Sequence, residues 1–203
     1  MTVRQAHRTS LNLKNVAIFR GNRFVLDHLN LAAMEGDTVW IRGANGSGKS
    51  TLLRTIAGLL DIHSGTVDII GTVALSDENL ALEANLPLSK ALQFWAFLDN
   101  ATPQDTTLSM TAMDIMSLSN VPIRYLSTGQ RKRAGLARVL ASKASIWLLD
   151  EPYNGLDSAS SASLDAAIIA HSNVGGITLL AAHQSPSINV SQSVVLDRQV
   201  HAA

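Results

Sequence analysis

The sequence contains no cysteine among its 203 residues, and this absence removes several kinds of chemistry at once. Without thiols the chain can form no disulfide, hold no metal through thiolates and use no cysteine nucleophile. A basic surplus is also missing, because lysine plus arginine equals aspartate plus glutamate, 16 residues of each. Nucleic acids and anionic membrane surfaces usually require such a surplus. We therefore expect no nucleic-acid partner.

Long apolar runs are missing as well. No stretch of about 18 or more consecutive apolar residues occurs, so we expect no membrane-spanning helix. Residues 1–8 lead into no apolar run, which argues against a secretory signal. Hydrophobic residues nevertheless make up 46% of the chain and charged residues 16%, a composition typical of a folded globular protein. A role at a membrane would therefore require docking onto other chains.

Strand-like and helix-like segments alternate along most of the chain. Near-continuous apolar strands between helices are typical of a mainly parallel sheet that is covered on both faces. We predict a single domain over residues 1–203, with a core at 1–76 and 129–203 and a small helical insert at 77–128. The expected elements are short strands within 11–33 joined by a turn at 20–23, a strand at 38–42, a helix at 50–60, a turn at 64–66, strands at 67–70 and 73–75, a helix at 130–141, a strand at 146–149, a helix at 158–170, and strands at 177–181 and 194–196.

Residues 43–50 match the pattern G-x-x-x-x-G-K-[ST] in full, after a strand and before a helix. Glycines let backbone N–H groups turn inward and let phosphate approach closely, and the helix adds its positive N-terminal end. Lys49 is expected to reach the β- and γ-phosphates, and the Ser50 hydroxyl to hold Mg²⁺. A chance glycine-rich turn is the alternative, and the flanking strand and helix argue against it. The predicted ATP-binding residues here are Gly43, Ala44, Asn45, Gly46, Ser47, Gly48, Lys49, Ser50 and Thr51.

Two acids follow the apolar strand at residues 146–149. Carboxylates at the carboxyl end of a buried strand stand where ligands of such sheets bind. Asp150 is expected to bind Mg²⁺ through water, and Glu151 to polarise the water that attacks the phosphate. A strand that ends in a solvated acidic turn is the alternative, and the complete phosphate loop weighs against it.

Further motifs make the chain resemble the ABC ATPase family. After the phosphate loop come Leu-Ser-Thr-Gly-Gln at 126–130, Asp-Glu-Pro at 150–152, Gly-Leu-Asp at 155–157 and Ala-Ala-His at 181–183, in the family's order. The resemblance covers nearly the whole chain. It implies an α/β P-loop NTPase fold of the ABC ATPase type, with an N-terminal antiparallel β region and a small helical subdomain. It also implies an ATPase at the cytoplasmic face of the inner membrane, bound peripherally to integral-membrane subunits.

The resemblance also implies a second copy of the chain. Ser127 and Gly129, with Gln130 beside them, would contact the γ-phosphate that the Lys49 loop of the facing copy holds. A hydroxyl, glycine N–H groups and a helix N-terminus together make an anion site, so this role is physically reasonable. Because one chain has only one phosphate loop and one such segment, the arrangement implies a homodimer.

Two further residues receive roles from the resemblance. His183 would touch the γ-phosphate as a catalytic residue beside Lys49 and Glu151, and Asp157 would lie at the dimer seam. Taken singly, His183 is also consistent with a structural histidine after a strand. Asp157 is equally consistent with a cap on the following helix.

At two positions the chain departs from the family's pattern. The family stacks an aromatic ring on adenine where this chain has Arg20; an arginine can also stack on a purine, and a solvated turn arginine is the alternative. The family places a glutamine after the strand that precedes Asp77 and Glu78. Either acid could coordinate metal or water instead, and a solvated acidic turn is the alternative.

Local features are similar to the haem-exporter ATPases of cytochrome c maturation. They are the turn at 20–23, Ile-Trp-Leu-Leu-Asp-Glu-Pro at 146–152, His-Gln-Ser-Pro at 183–186 and Leu-Gln-Phe-Trp at 92–95. This similarity implies that ATP hydrolysis drives haem release or export by membrane partners, with haem only indirectly involved. His63, His171 and His201 are interpreted as surface residues. The alternatives are an importer or exporter ATPase for another cargo, a soluble ABC ATPase acting on nucleic acid or ribosomes, and a non-hydrolysing regulatory module.

Overall fold

A computed structural model describes residues 9–197. The strands are β1 (Ser10–Arg20), β2 (Arg23–Met34), β3 (Thr38–Arg42), β4 (Ser64–Ile70), β5 (Val73–Ser76), β6 (Ile146–Asp150), β7 (Ile177–Ala181) and β8 (Gln192–Val195). The helices are α1 (Lys49–Ile56), α2 (Leu88–Leu98), α3 (Pro103–Ala112), α4 (Thr128–Ala141) and α5 (Ser158–Asn173), with short 3₁₀ turns at Met116–Leu118 and Ile123–Tyr125. None of the helices within residues 9–197 combines the length and the apolar character that a bilayer crossing requires. His201 lies outside the described residues.

The strands form two sheets. An antiparallel sheet has the order β2-β1-β4, and a parallel sheet has the order β5-β6-β7-β3-β8. The order of the parallel sheet brings β6, β7 and β3 next to one another, although β3 comes far earlier in the chain. Because the carboxyl ends of parallel strands share one edge of the sheet, the loops after these three strands meet there.

The apolar core lies on both faces of the parallel sheet. Ile146 and Leu148 of β6 belong to the cluster that α1 and the antiparallel sheet cover. Trp147 and Leu149, on the opposite face of the same strand, pack with α4, α5 and the helices of residues 88–126. Burial on both faces explains why β6 is an uninterrupted apolar run rather than an alternating one.

Several expected boundaries were wrong. The predicted turn at 64–66 belongs to β4, because Ser64 and Thr66 pair with Ala17 and Lys14 of β1. The strands within 11–33 were predicted to be short, but β1 has 11 residues and β2 has 12. The helix predicted at 50–60 ends at Ile56, and Gly58 follows with a left-handed backbone at φ +72°. Long-range strand pairing and a local glycine therefore override the sequence periodicity at these points.

Candidate functional site

The candidate site is built from the loops that follow β3, β6 and β7. Gly43 begins the loop after β3, Glu151 follows β6, and His183 lies two residues beyond the end of β7. Ala181 pairs with Ile41 on one side and with Asp150 on the other, which sets the three loops side by side. The structure thus brings together three residues that are far apart in the sequence.

Two glycines of the phosphate loop, Gly43 and Gly48, are required by close packing. A Cβ atom on Gly43 would lie 2.4 Å from the carbonyl oxygen of Leu196, and one on Gly48 would lie 2.9 Å from the side chains of Val25 and Leu26. Gly46, by contrast, faces open space but has a left-handed backbone at φ +78°. The exposed rim of the loop is Ala44, Asn45 and Gly46; Ser47, Gly48 and Lys49 are buried, and Ser50 and Thr51 are half-buried.

Lys49 lies at the centre of a cluster of polar groups. Its Nζ atom donates to the carbonyl oxygen of Gly43 at 2.8 Å and lies 3.6 Å from Glu151 Oε1. His183 Nε2 is 2.5 Å from Asn45 Oδ1 and 3.4 Å from Lys49 Nζ. The backbone N–H of His183 also donates to Glu151 Oε2 at 3.4 Å. The residues predicted to act on the γ-phosphate therefore contact one another directly.

Asp150 and Ser50 have the properties of a magnesium pair. Asp150 is buried, and its Oδ1 atom has no hydrogen-bond partner within the described residues. Burial raises the pKa of the Asp150 carboxyl, while a hydrogen bond with Ser50 and the charge of Lys132 oppose that rise. A hydroxyl and a carboxylate oxygen are hard ligands that suit Mg²⁺, which usually takes its other ligands from phosphate and water. Within residues 9–197 no cluster of three or more His, Cys, Asp or Glu could hold a metal by itself.

A cavity of about 860 Å³ extends from these acids toward the start of α4. Ser127 caps α4: its hydroxyl accepts from the N–H of Gln130, and its own N–H donates to the Gln130 side chain at 2.9 Å. Gly129 packs near the backbone of Gly155. No hydrogen bond that the structure describes joins Ser127, Gly129 or Gln130 to the phosphate loop of the same chain. Their contact with the γ-phosphate held by a second copy stays a prediction.

Asp157 is the N-cap of α5. Its side chain accepts a hydrogen bond from the N–H of Ser160 at 2.7 Å. Hydrogen bonding to Ser160 lowers the pKa of the Asp157 carboxyl. The capping role is therefore confirmed, and the place of Asp157 at a dimer seam stays a prediction.

Arg20 lies at the tip of the β1–β2 hairpin, exposed and directly opposite Arg23. The neighbouring pair Phe19 and Phe24 forms an edge-to-face contact at 5.2 Å, and His63 packs against both rings. The part of β2 just after the hairpin turn touches the phosphate loop, because Val25 and Leu26 lie close to Gly48. Arg20 thus belongs to an element that adjoins the phosphate loop, and its contact with adenine stays a prediction.

The acids after β5 are held by an arginine that the sequence did not single out. Arg54 Nε binds Asp77 Oδ2 at 2.8 Å, and its NH2 group binds Glu78 Oε1 at 3.1 Å. The other oxygen of Asp77 accepts from the N–H of Asn79 at 2.9 Å. Only 7% of the Asp77 side chain is exposed, so the picture of a solvated turn is wrong for Asp77, although Glu78 is exposed.

His171 is not the surface residue that the sequence suggested. Its ring stacks on Trp147 at 3.9 Å, nearly parallel, and is partly buried against Gly176. Burial lowers the pKa of the imidazole. His63, in contrast, is exposed as expected.

A family model described as ABC transporter matches residues 26–154. The Cytochrome c biogenesis ATP-binding export protein CcmA of Sphingopyxis alaskensis is 50% identical over 173 residues, which cover 85% of this chain and 89% of that protein. The protein of the same name from Zymomonas mobilis is 50% identical over 171 residues, covering 84% of this chain and 76% of its own length.

Solved structures show the same fold at lower identity. A dimeric bacterial ABC transporter cassette superposes with a TM-score of 0.83 at 21% identity, covering 92% of this chain and 94% of that one. An ATP-binding subunit of an ABC transporter superposes with a TM-score of 0.82 at 19% identity, covering 94% and 88%.

Proposed function

This chain belongs to the ABC transporter family and, within it, to the cytochrome c biogenesis ATP-binding export proteins, and from that premise we propose that it powers cytochrome c maturation. It is the ATP-hydrolysing subunit. In the proposed role, hydrolysis drives release or export of haem by membrane partner subunits, and haem binds those partners rather than this chain. The observation that carries the proposal is the 50% identity to a CcmA protein over 85% of the chain.

The geometry of the site supports ATP hydrolysis by a positioned carboxylate. Glu151 is proposed to accept a proton from the attacking water, and its carboxylate already lies beside Lys49 and His183. Lys49 and His183 are proposed to contact the γ-phosphate and to neutralise the charge that develops there. Mg²⁺, held by Ser50 and Asp150, would add charge neutralisation at the phosphate oxygens.

A homodimer completes this proposal. Ser127 and Gly129 of one copy would contact the γ-phosphate held by the Lys49 loop of the other. The capped N-terminus of α4 supports this role, since helix N-termini favour anions. Asp157 would lie at the seam between the copies.

An apolar surface on α2 is proposed as the docking site for the membrane subunits. Phe94, Phe97 and Leu98 are exposed on this helix, and 79% of Phe97 is accessible. Beside them lies a groove of about 330 Å³, lined by residues of the segment 80–86 and of α2. Exposed apolar patches of this kind typically mark interaction sites. Docking there would hold the chain peripherally at the cytoplasmic face of the membrane.

The test is purification of the tagged chain from native membranes, followed by identification of the chains that come with it. We expect integral-membrane proteins of cytochrome c maturation. Recovery of an unrelated permease would retain the ATPase and overturn its proposed purpose.

A matched pair of variants tests the docking surface in the same experiment. Phe97→Asp adds a charge to the apolar surface and should abolish co-purification. Val174→Asp adds the same charge to an exposed residue at the end of α5 and should leave it intact. Equal recovery with both variants would contradict docking at α2.

A further inference from the structure

The peptide bond between Asp150 and Glu151 is hydrogen-bonded at both of its polar groups. The N–H of Glu151 donates to the carbonyl oxygen of Ala181 at 2.8 Å. The carbonyl oxygen of Asp150 accepts from Lys132 Nζ at 2.6 Å. Lys132 is a side chain of α4, so one of the two bonds comes from an element outside the parallel sheet.

Glu151 needs such support because its backbone is unfavourable for a non-glycine residue. It has φ +45°, in the left-handed region. Residues in such conformations persist where the surrounding structure holds them. The conformation also directs the carboxylate, which lies 3.6 Å from Lys49 Nζ and 3.7 Å from His183 Nε2. A rotation of the peptide would therefore move the carboxylate away from both.

The Lys132 side chain reaches this peptide from the wall of the large cavity, which it lines together with Ser50, Asp150 and Glu151. Burial lowers the pKa of the Lys132 ammonium, and the charges of Asp150, Glu151, Asp77 and Glu78 oppose that effect. A partly buried ammonium without partners would be unfavourable, so its hydrogen bond to Asp150 is a specific contact rather than a surface one. Neighbouring Arg131 does not share it and bonds to the carbonyl of Arg124 instead.

We propose that Lys132 is a positioning residue for ATP hydrolysis: it holds the Asp150–Glu151 peptide in the orientation that aims the Glu151 carboxylate at the site. This inference rests on the proposed role of Glu151. It also implies that α4, which has Ser127 as its N-cap and Gly129 in its first turn, is tied to the acids of its own chain. A shift of α4 would then be transmitted to Glu151 through a single hydrogen bond.

The test uses Lys132→Met, which keeps the length of the side chain and removes the donor, and Lys132→Arg, which keeps a donor. In Lys132→Met, kcat should fall about tenfold to a hundredfold, since small displacements of catalytic groups have effects of that size. The affinity for Mg-ATP and the Tm should stay close to those of the wild type. Lys132→Arg should recover most of kcat. Lys14→Met, at an exposed lysine of β1, is the matched control.

A second measurement is independent of activity. The ¹³C shift of the Asp150 carbonyl, measured by NMR without nucleotide, should move in Lys132→Met and return in Lys132→Arg. The proposal is overturned by an unchanged kcat, by an unchanged carbonyl shift, or by a loss of nucleotide affinity equal to the loss of kcat. Glu151→Gln distinguishes a failure of the role proposed for Glu151 from a failure of the role proposed for Lys132. If Glu151→Gln still hydrolyses ATP, the role of Glu151 is wrong. If Glu151→Gln is inactive but Lys132→Met is fully active, only the role of Lys132 is wrong.

Discussion

Two loops that line the same cavity are held in place by different means. The phosphate loop after β3 owes its shape to Gly43, which packs against Leu196, and to Gly48, which packs against Val25 and Leu26. The loop after β5 is held mainly by side chains, through the ion pair of Arg54 with Asp77. A short motif therefore predicts the first loop, whereas the second depends on a partner 23 residues away. Substitutions at each loop should separate catalysis from structural support.

The largest effect is expected on the affinity for Mg-ATP when the phosphate loop loses the positive charge of Lys49. Lys49→Ala should lower the affinity for Mg-ATP by at least about a hundredfold, because charge-assisted hydrogen bonds to phosphate are strong. Titration with a fluorescent ATP analogue measures the loss. Lys14→Ala, at an exposed lysine of β1, is the control. Affinity that stays within about tenfold of the wild type would contradict the assignment of Lys49.

The second-largest effect should be a lower rate of ATP hydrolysis, with the binding of Mg-ATP retained. Glu151→Gln preserves the shape of the side chain but removes its basicity, so kcat should drop about a hundredfold or more while Mg-ATP still binds. The uncleaved nucleotide should then hold two copies together. Size-exclusion chromatography with Mg-ATP should show a dimer, and a monomer under all conditions would count against the two-site arrangement.

Where backbone geometry determines a local structure, the sequence was sufficient. The loop at residues 43–50 and the end of β6 at Asp150 could be placed because a glycine-rich turn and a strand end have local signatures, while the roles of these residues in ATP hydrolysis stay predictions. The parallel sheet followed from the uninterrupted apolar run of β6, which is buried on both faces. The cap at Asp157 was also recognisable, since its hydrogen bond reaches only three residues along the chain.

Contacts between residues that lie far apart in the sequence were predicted wrongly or could not be predicted. Nothing marks Arg54 as the partner of Asp77, because the pairing depends on how α1 packs against β6 and β7 of the parallel sheet. Lys132 has basic neighbours on both sides, so the sequence cannot tell which of the three turns inward. His171 has no local sign of the stacking on Trp147, which β6 and α5 create together.

Substitutions in the loop after β5 should change the free energy of unfolding rather than the rate of ATP hydrolysis. Arg54→Met leaves Asp77 poorly exposed and without its cation, so the free energy of unfolding should fall by about 1–3 kcal/mol, less than for a fully buried pair. Urea unfolding measures this change. Adding Asp77→Asn to Arg54→Met should restore part of the loss, because it removes the unpaired charge. Glu78→Gln should have little effect, since 80% of that side chain is exposed. An Arg54→Met variant as stable as the wild type would contradict a structural role for the ion pair.

The smallest change in the free energy of unfolding is expected at α3. Hydrogen bonding from Lys143 and from Thr102 lowers the pKa of Asp105 from 3.8 to about 2. A carboxyl whose pKa is lower in the folded state stabilises the fold above its unfolded pKa, and this contribution is lost as the pH falls toward about 2. Asp105→Asn should therefore reduce the free energy of unfolding by under about 1 kcal/mol at neutral pH, because exposed ion pairs contribute little.

The pH dependence distinguishes this charge effect from a simple loss of the helix cap. The amide oxygen of asparagine can still accept from the N–H of the N-cap Thr102, so the difference between Asp105→Asn and the wild type should come mainly from the charge. Urea unfolding should then show a constant difference from about pH 7 down to about pH 5 and a shrinking one below about pH 4. Asp114→Asn, whose side chain is 89% exposed beside Arg133, provides a control with little expected change. A difference that persists undiminished at about pH 3 would mean that the shape of the cap, not the Lys143–Asp105 pair, supports the start of α3.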